Sequence, residues 1–104
     1  MGRLDDRVAL ITGCRRGFGK AMAELFASEG AAVSICDIVP LEELRREVGS
    51  KIEAKGGEVL CSQTDVSDEA QVNTMVETTL AELGAIDILV NNVGIGGPPR
   101  IRGS

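Results

Sequence analysis

Apolar residues cluster in four short runs along the chain, at residues 7–12, 32–37, 58–63 and 86–91. The first run, residues 7–12, lacks the strict alternation of apolar and polar positions that marks a strand with one solvated face. Continuous apolar runs of this length are typical of strands covered on both sides, as in a parallel sheet. The pattern therefore predicts a strand buried on both faces at residues 7–12 and three further strands at the other runs.

The segments between these runs carry apolar residues at helical spacing. The first predicted helix covers residues 18–28. The second opens at Pro40, a residue favoured at the first helical position, and is weakened by up to about 1 kcal/mol at Gly49. The third begins at a Ser67 N-cap and ends near Gly84. The stripes are Met22, Leu25 and Phe26; Leu41, Leu44, Val48 and Ile52; and Val72, Met75, Val76, Leu80 and Leu83.

Strands and helices alternate throughout, which predicts an α/β fold with a parallel sheet and helices on its faces. Right-handed crossovers then give the strand order 3-2-1-4, with the first two helices on one face and the third on the other. This is a doubly wound sheet, incomplete at about four strands. We assign residues 1–94 to this unit and residues 95–104 to a loop-like tail.

Composition and charge narrow the class of protein. The 104 residues carry a net charge of −5, and 43% of them are hydrophobic, which suits one small globular domain without a nucleic-acid partner. No apolar run approaches the roughly 18 residues that span a bilayer, and the polar N-terminus does not resemble a signal peptide, so we expect a cytoplasmic protein with no membrane contact. Three dispersed cysteines and no histidine predict reduced thiols and no metal site.

A glycine-rich segment follows the first strand. Gly13, Gly17 and Gly19 stand where a strand gives way to a helix, the setting of a Rossmann-type phosphate loop. There Gly13 permits the turn, Gly17 lets backbone N–H groups approach a pyrophosphate, and Gly19 lets the helix pack closely on the strand. The alternative is a tight strand-to-helix turn that holds no ligand.

An acidic residue ends the second strand. Asp37 follows Gly19 by 18 residues, close to the offset of about 20 at which an acid meets the adenosine ribose of NAD. Its carboxylate would accept hydrogen bonds from the ribose hydroxyls and repel a 2′-phosphate. Arg15 and Arg16 could instead pair with that phosphate, and Asp37 could be a solvated acid or a helix cap. We predict NAD as the cofactor, with NADP second.

With these residues, the chain resembles the short-chain dehydrogenase/reductase family. Thr12 to Gly19 match the family's T-G-x-x-x-G-x-G, Asp65 and Val66 resemble its acidic and apolar pair beside the adenine, and residues 91–94 resemble its N-N-A-G segment, with Val93 where alanine is usual. Asp65 could alternatively cap the next helix, and Asn91 is expected to be a structural, buried residue. The predicted cofactor-binding set is Gly13, Arg16, Gly17, Phe18, Gly19, Asp37, Ile38, Asp65, Val66, Asn91, Val93 and Gly94.

The resemblance implies an oxidoreductase that moves hydride between the dinucleotide and an alcohol or ketone. It places the catalytic Tyr, Lys and Ser after the N-N-A-G segment, and the chain contains no tyrosine, so we assign no catalytic residue and expect no turnover from the chain alone. This pattern suggests the first part of a longer dehydrogenase. Two alternatives stay open: a nucleotide-binding module without catalysis, and a structural remnant that associates with another chain.

The fourth strand raises an expectation about association. Ile88, Leu89 and Val90 are apolar on both faces, yet the predicted order leaves them at a sheet edge. We expect the isolated chain to self-associate, with a homo-oligomer as one form, unless the tail folds back through Ile95 and Ile101.

Overall fold

A computed structural model describes residues 3–14 and 17–91. The strands are β1 (Val8–Thr12), β2 (Ala32–Asp37), β3 (Val59–Gln63) and β4 (Ile88–Val90). The helices are α1 (Gly17–Ser28), α2 (Leu41–Leu44), α3 (Ser50–Ala54) and α4 (Glu69–Leu83), with a π-helical segment at Arg45–Gly49. The predicted α/β alternation is confirmed.

The sheet has the order β3-β2-β1-β4, and every neighbouring pair is parallel. Thr12 of β1 pairs with Cys36 of β2, and Cys36 in turn pairs with Ser62 of β3. The predicted strand order is confirmed. This register brings the carboxyl ends of β1, β2 and β3 to one edge of the sheet.

Alternate residues of the strands point to opposite faces. On one face α1 packs over β1 and β2 while α2 and the π-helical segment, continued by α3, pack against β3; on the other face α4 packs alone, as the crossover rule predicts. The first face buries Ala9, Ile11, Cys14, Ala23, Ala31, Val33, Ile35, Leu44, Val48 and Ile52. The second face buries Leu10, Cys36 and Met75.

The second helical region differs from its prediction at two positions. Pro40 is the N-cap, with φ −54° and ψ 142°, so the helix begins at Leu41 and Pro40 precedes the first helical residue. Gly49 lies in the π-helical segment against β3, where a Cβ would approach the Cys61 thiol sulfur to 2.8 Å. The glycine therefore permits close packing, and helix propensity alone does not describe its role.

The start of α4 also differs from its prediction. Asp68 is the N-cap, because its side chain accepts hydrogen bonds from the backbone N–H groups of Ala70 and Gln71. Ser67 instead donates to Asp65. The helix ends where predicted, since Gly84 adopts φ 88° and its N–H donates to the carbonyl of Leu80.

The β4 strand is short and only partly covered. Its side chains Ile88 and Val90 pack against the better-filled face, whereas Leu89 points to the α4 face and is 55% exposed. Residues 95–104, including Ile95 and Ile101, lie outside the described part, so self-association stays a prediction. No helix within residues 3–14 and 17–91 is long and apolar enough to cross a bilayer.

Candidate dinucleotide-binding site

The carboxyl edge of the sheet brings together the described part of the glycine loop, Asp37 and the end of β3. The N–H of Cys14, in the glycine loop, donates to the carbonyl of Cys36 at 3.2 Å, which fixes the loop beside the end of β2. The N–H of Thr64 donates to the carbonyl of Asp37 at 2.9 Å, which fixes the end of β3 on the other side. The loop, Asp37 and the segment that leads to Asp65 therefore lie side by side.

The glycine loop adopts a backbone that favours glycine. Gly13 has φ 65° and Gly17 has φ 69°, both in the left-handed region where a side chain is costly. A Cβ at Gly17 would meet no atom of the described residues within 4 Å, so these residues leave the space over Gly17 open. Gly19 is buried, as close packing of α1 on the sheet requires. Arg16 and its neighbour Arg15 lie outside the described residues.

Cys14 fixes the glycine loop to the core of the fold. Its side chain is fully buried, and the thiol donates to the carbonyl of Ile11 at 3.1 Å. The loop thus has an apolar, hydrogen-bonded base within the core, while Gly17 and Phe18 at its other end face solvent. This arrangement holds the N-terminal N–H groups of α1 toward open space.

Asp37 is half-buried at the end of β2. Its Oδ1 accepts a hydrogen bond from the N–H of Ile38 at 2.7 Å and a longer one of 3.4 Å from the N–H of Val39. These contacts within the turn fix the position of the carboxylate relative to the loop. A carboxylate held in this way is suited to accept hydrogen bonds from vicinal hydroxyls.

Asp65 forms a turn of its own after β3. Its Oδ1 accepts from the N–H of Ser67 at 2.9 Å and from the Ser67 hydroxyl at 2.6 Å, and these two hydrogen bonds lower the pKa of the carboxyl. Asp65 therefore organises the turn that precedes α4, while Asp68 caps that helix. Val66 is half-buried and packs against the α4-face cluster, so part of its side chain belongs to the core.

Two large apolar side chains near this edge of the sheet are exposed to solvent. Phe18 and Ile38 are each 63% exposed, although most residues of their kind are buried in folded chains. Both are members of the predicted cofactor-binding set. Their exposure leaves apolar surface available to a ligand on either side of the loop and Asp37.

Asn91 follows β4 and links it to the central strand. Its Oδ1 accepts a hydrogen bond from the hydroxyl of Thr12 at 3.1 Å. Asn91 is exposed, so the expectation of a buried residue is wrong: it lies beyond the short β4, and its partner is a side chain. Sequence reasoning missed the role of Thr12, although its place beside the end of β4 follows from the strand order. Val93 and Gly94 lie outside the described residues.

The three cysteines are free thiols. Burial raises the pKa of Cys14 and of Cys61 and raises the pKa of Cys36 to about 12, so all three are protonated at neutral pH. Protonated, largely buried thiols are poor nucleophiles. In the described part of the chain, no three His, Cys, Asp or Glu side chains are grouped to hold a metal ion.

The sheet order, the glycine loop and the acid at the end of β2 define a dinucleotide-binding class of α/β protein. A family model described as short chain dehydrogenase matches residues 7–102. The chain belongs to this family.

Curated relatives agree with the family match. Over 96 residues the chain is 38% identical to 7alpha-hydroxysteroid dehydrogenase of Escherichia coli, and over 101 residues it is 43% identical to galactitol 2-dehydrogenase of Agrobacterium fabrum. These alignments cover 92% and 97% of the chain but only 37% and 38% of the relatives. The chain thus spans less than half the length of the relatives it matches.

Solved structures give the same result. The 7 alpha-hydroxysteroid dehydrogenase complexed with NADH and 7-oxo glycochenodeoxycholic acid superimposes with a TM-score of 0.84 at 38% identity, over 92% of this chain and 37% of that one. A short chain dehydrogenase/reductase from Burkholderia phymatum in complex with NAD gives 0.77 at 36% identity, over 86% and 31%.

Proposed function

We propose that this chain supplies the dinucleotide-binding part of a cytoplasmic oxidoreductase that moves hydride between NAD and an alcohol or ketone. The observation that carries the proposal is the hydrogen bond from the N–H of Cys14 to the carbonyl of Cys36. It joins the glycine loop to the strand that ends in Asp37, so one surface offers both an anion site and a hydroxyl-binding carboxylate. The dinucleotide would occupy this surface.

The residues at this edge suit the two ends of an adenosine diphosphate group. The N–H groups at the start of α1 and the open space over Gly17 suit the pyrophosphate, because a helix N-terminus carries free donors and a partial positive charge. Asp37 would accept hydrogen bonds from the ribose hydroxyls. Exposed Ile38 and half-buried Val66 would supply apolar contact to the adenine. Arg16, Val93 and Gly94 stay predicted members of the site.

Asp37 carries the proposed preference for NAD over NADP. A ribose with free hydroxyls gives the carboxylate two donors, whereas a 2′-phosphate would bring a second negative charge against it. The N–H of Ile38 holds the carboxylate at the turn, which restricts its movement away from that phosphate. When bound, NAD would accept or donate the hydride, and the residues described would bind and orient it.

The proposed substrate class rests on the relatives, and it is less specific than the proposed cofactor. One relative is named for a hydroxysteroid and another for galactitol, and both names denote an alcohol function. We therefore propose a secondary alcohol or the corresponding ketone, bound by residues of the longer protein.

The test compares the affinities for NAD and NADP by calorimetric titration. We expect Asp37→Ala to lower the ratio of NAD to NADP affinity by about tenfold or more, because one or two charge-assisted hydrogen bonds and one repulsion are lost together. Asp37→Asn, which keeps the shape without the charge, should show most of this change.

Glu58→Ala is the matched control. It removes an exposed carboxylate that precedes β3, at the opposite edge of the sheet, and should leave the ratio unchanged. If Asp37→Ala leaves the ratio as it was, the role of Asp37 is wrong. If the chain binds neither dinucleotide, the proposed site itself is wrong.

A further inference from the structure

A groove of about 640 Å³ lies between α1 and the segment from α3 to Gly57. Ala27, Ile52 and Ala54 give it an apolar lining. Ser28 of α1 shortly precedes β2, and Gly57 shortly precedes β3, so this end of the groove lies at the amino edge of the sheet. The proposed dinucleotide site is at the other edge, and of the residues that line the groove only Lys20, one turn into α1, lies near it.

Positive side chains predominate among the charged residues that line the groove. Lys20, Lys51 and Lys55 all line it, and they are the only lysines in the sequence. Glu24 is the one acidic residue among the lining residues. A chain with a net charge of −5 thus gathers all its lysines around one apolar groove.

Interactions within the fold account for only part of this arrangement. Lys51 lies in the single, last turn of α3 and Lys55 is its C-cap, where a cation is favourable. Lys20 lies near the N-terminus of α1, where the same effect makes a cation unfavourable. Across residues 3–14 and 17–91, none of the three forms an ion pair. No ion pair within the described residues therefore accounts for the three lysines, and Glu24 is the one carboxylate that lines the groove with them.

We propose that this groove binds a phosphorylated organic molecule. Its volume falls within the range of sites for small ligands, about 300 to 1,000 Å³. Lysines bind phosphate as flexible point charges, and the alanine and isoleucine side chains would cover the apolar body of the ligand. The ligand class is thus an organic phosphate, which neither inorganic phosphate nor a neutral apolar molecule reproduces. This inference does not depend on the proposed dinucleotide site.

The test uses naphthyl phosphate as the probe and follows backbone amide signals of the full chain by NMR. We expect saturable shifts at Gly56 and Gly57, with weaker binding of inorganic phosphate and of naphthol. The variant Lys51→Gln with Lys55→Gln should weaken binding by about fivefold or more, since it removes two favourable charges from exposed positions.

The variant Arg45→Gln with Arg46→Gln is the matched control. It removes the same two charges from exposed positions in the neighbouring π-helical segment, outside the groove, and should change the affinity less than about twofold. Equal weakening by both variants would show general charge attraction and overturn the proposal. So would shifts confined to Gly13 and Gly17, the absence of saturable shifts, or groove binding by an acidic peptide without binding of naphthyl phosphate.

Discussion

The face of the sheet that carries α1, α2 and α3 is covered by a continuous apolar cluster, whereas the α4 face has a small apolar cluster and a buried pair of hydroxyls. On the first face Ile35 and Leu44 are fully buried among aliphatic neighbours. On the second face the apolar cluster is small, and Leu89 and Leu80 remain 55% and 46% exposed. The helices therefore bury the apolar side chains of one face of the sheet more completely than those of the other.

A buried pair of hydroxyls does part of the packing on the α4 face. Ser34 and Thr79 lie 2.7 Å apart, and the Thr79 hydroxyl also donates to the carbonyl of Met75 at 2.8 Å. Because a hydroxyl has one proton, Ser34 must be the donor within the pair. This chain of hydrogen bonds fixes α4 over β2, where the first face relies on apolar contact. The position of α4 on its face of the sheet is therefore specified in part by directional hydrogen bonds.

The largest expected effect tests the packing of the two faces with the same substitution. Leu44→Ala on the first face should lower the free energy of unfolding by about 4 kcal/mol, because a rigid apolar surround leaves a cavity. Leu10→Ala on the α4 face should cost only about 2.5 kcal/mol, because a smaller cluster can collapse or admit water. Urea unfolding at low protein concentration measures both. Equal losses would contradict the comparison.

The next effect tests the hydroxyl pair. Thr79→Val should cost about 2 kcal/mol, because it leaves the buried Ser34 hydroxyl without its acceptor. Ser34→Ala should cost less, since Thr79 keeps its bond to Met75. Thr74→Val is the control: Thr74 makes the same kind of bond, to the carbonyl of Ala70, but it is exposed and should change stability by less than about 0.5 kcal/mol. If Ser34→Ala lowered the free energy of unfolding more than Thr79→Val does, the assignment of Ser34 as the donor would be wrong.

The same contrast separates what the sequence predicts from what it does not. Strand order and the division of helices between faces follow from alternation and handedness, so they are predictable without side-chain detail. Gly13 and Asp37 were likewise identifiable, because a glycine loop and an acid at the ends of neighbouring strands keep a fixed offset. Gly13 has the positive φ that the predicted turn needs, and the binding roles of both residues stay predictions.

The remaining features depend on contacts between distant residues. Thr79 is polar, so the apolar stripe predicted for the third helix does not include it, and its partner Ser34 lies 45 residues away. Leu80 was placed in that stripe but is 46% exposed, since Thr79 takes the inward position. The N-cap depends on which of two adjacent residues turns toward the helix, and both Ser67 and Asp68 are suitable residue types.

A smaller effect tests the close approach of the π-helical segment to β3. Helix propensity alone predicts that Gly49→Ala stabilises the chain by up to about 1 kcal/mol. We expect a loss of about 1 kcal/mol, because the new methyl group would crowd the Cys61 sulfur. In a Cys61→Ala background the same change should become neutral or stabilising, and thermal unfolding of the four variants gives the coupling. A gain in the unmodified background would refute the packing role of Gly49.

The smallest effect concerns the turn that leads into α4. The Ser67 hydroxyl and N–H lower the pKa of Asp65, and Ser67→Ala removes only the hydroxyl bond. The pKa should therefore rise but stay below its usual value, as NMR titration of the carboxyl carbon would measure. A carboxyl with a lowered folded-state pKa contributes stability above its unfolded pKa and loses it as the pH falls through the folded value. Lowering the pH should therefore reduce the free energy of unfolding of the variant by less than that of the unmodified chain.

Ser50→Ala, at an exposed site in α3, is the control and should leave the pKa of Asp65 unchanged. If Ser67→Ala also leaves it unchanged, the hydroxyl bond does not organise this turn, and entry into α4 rests on the Asp68 cap alone.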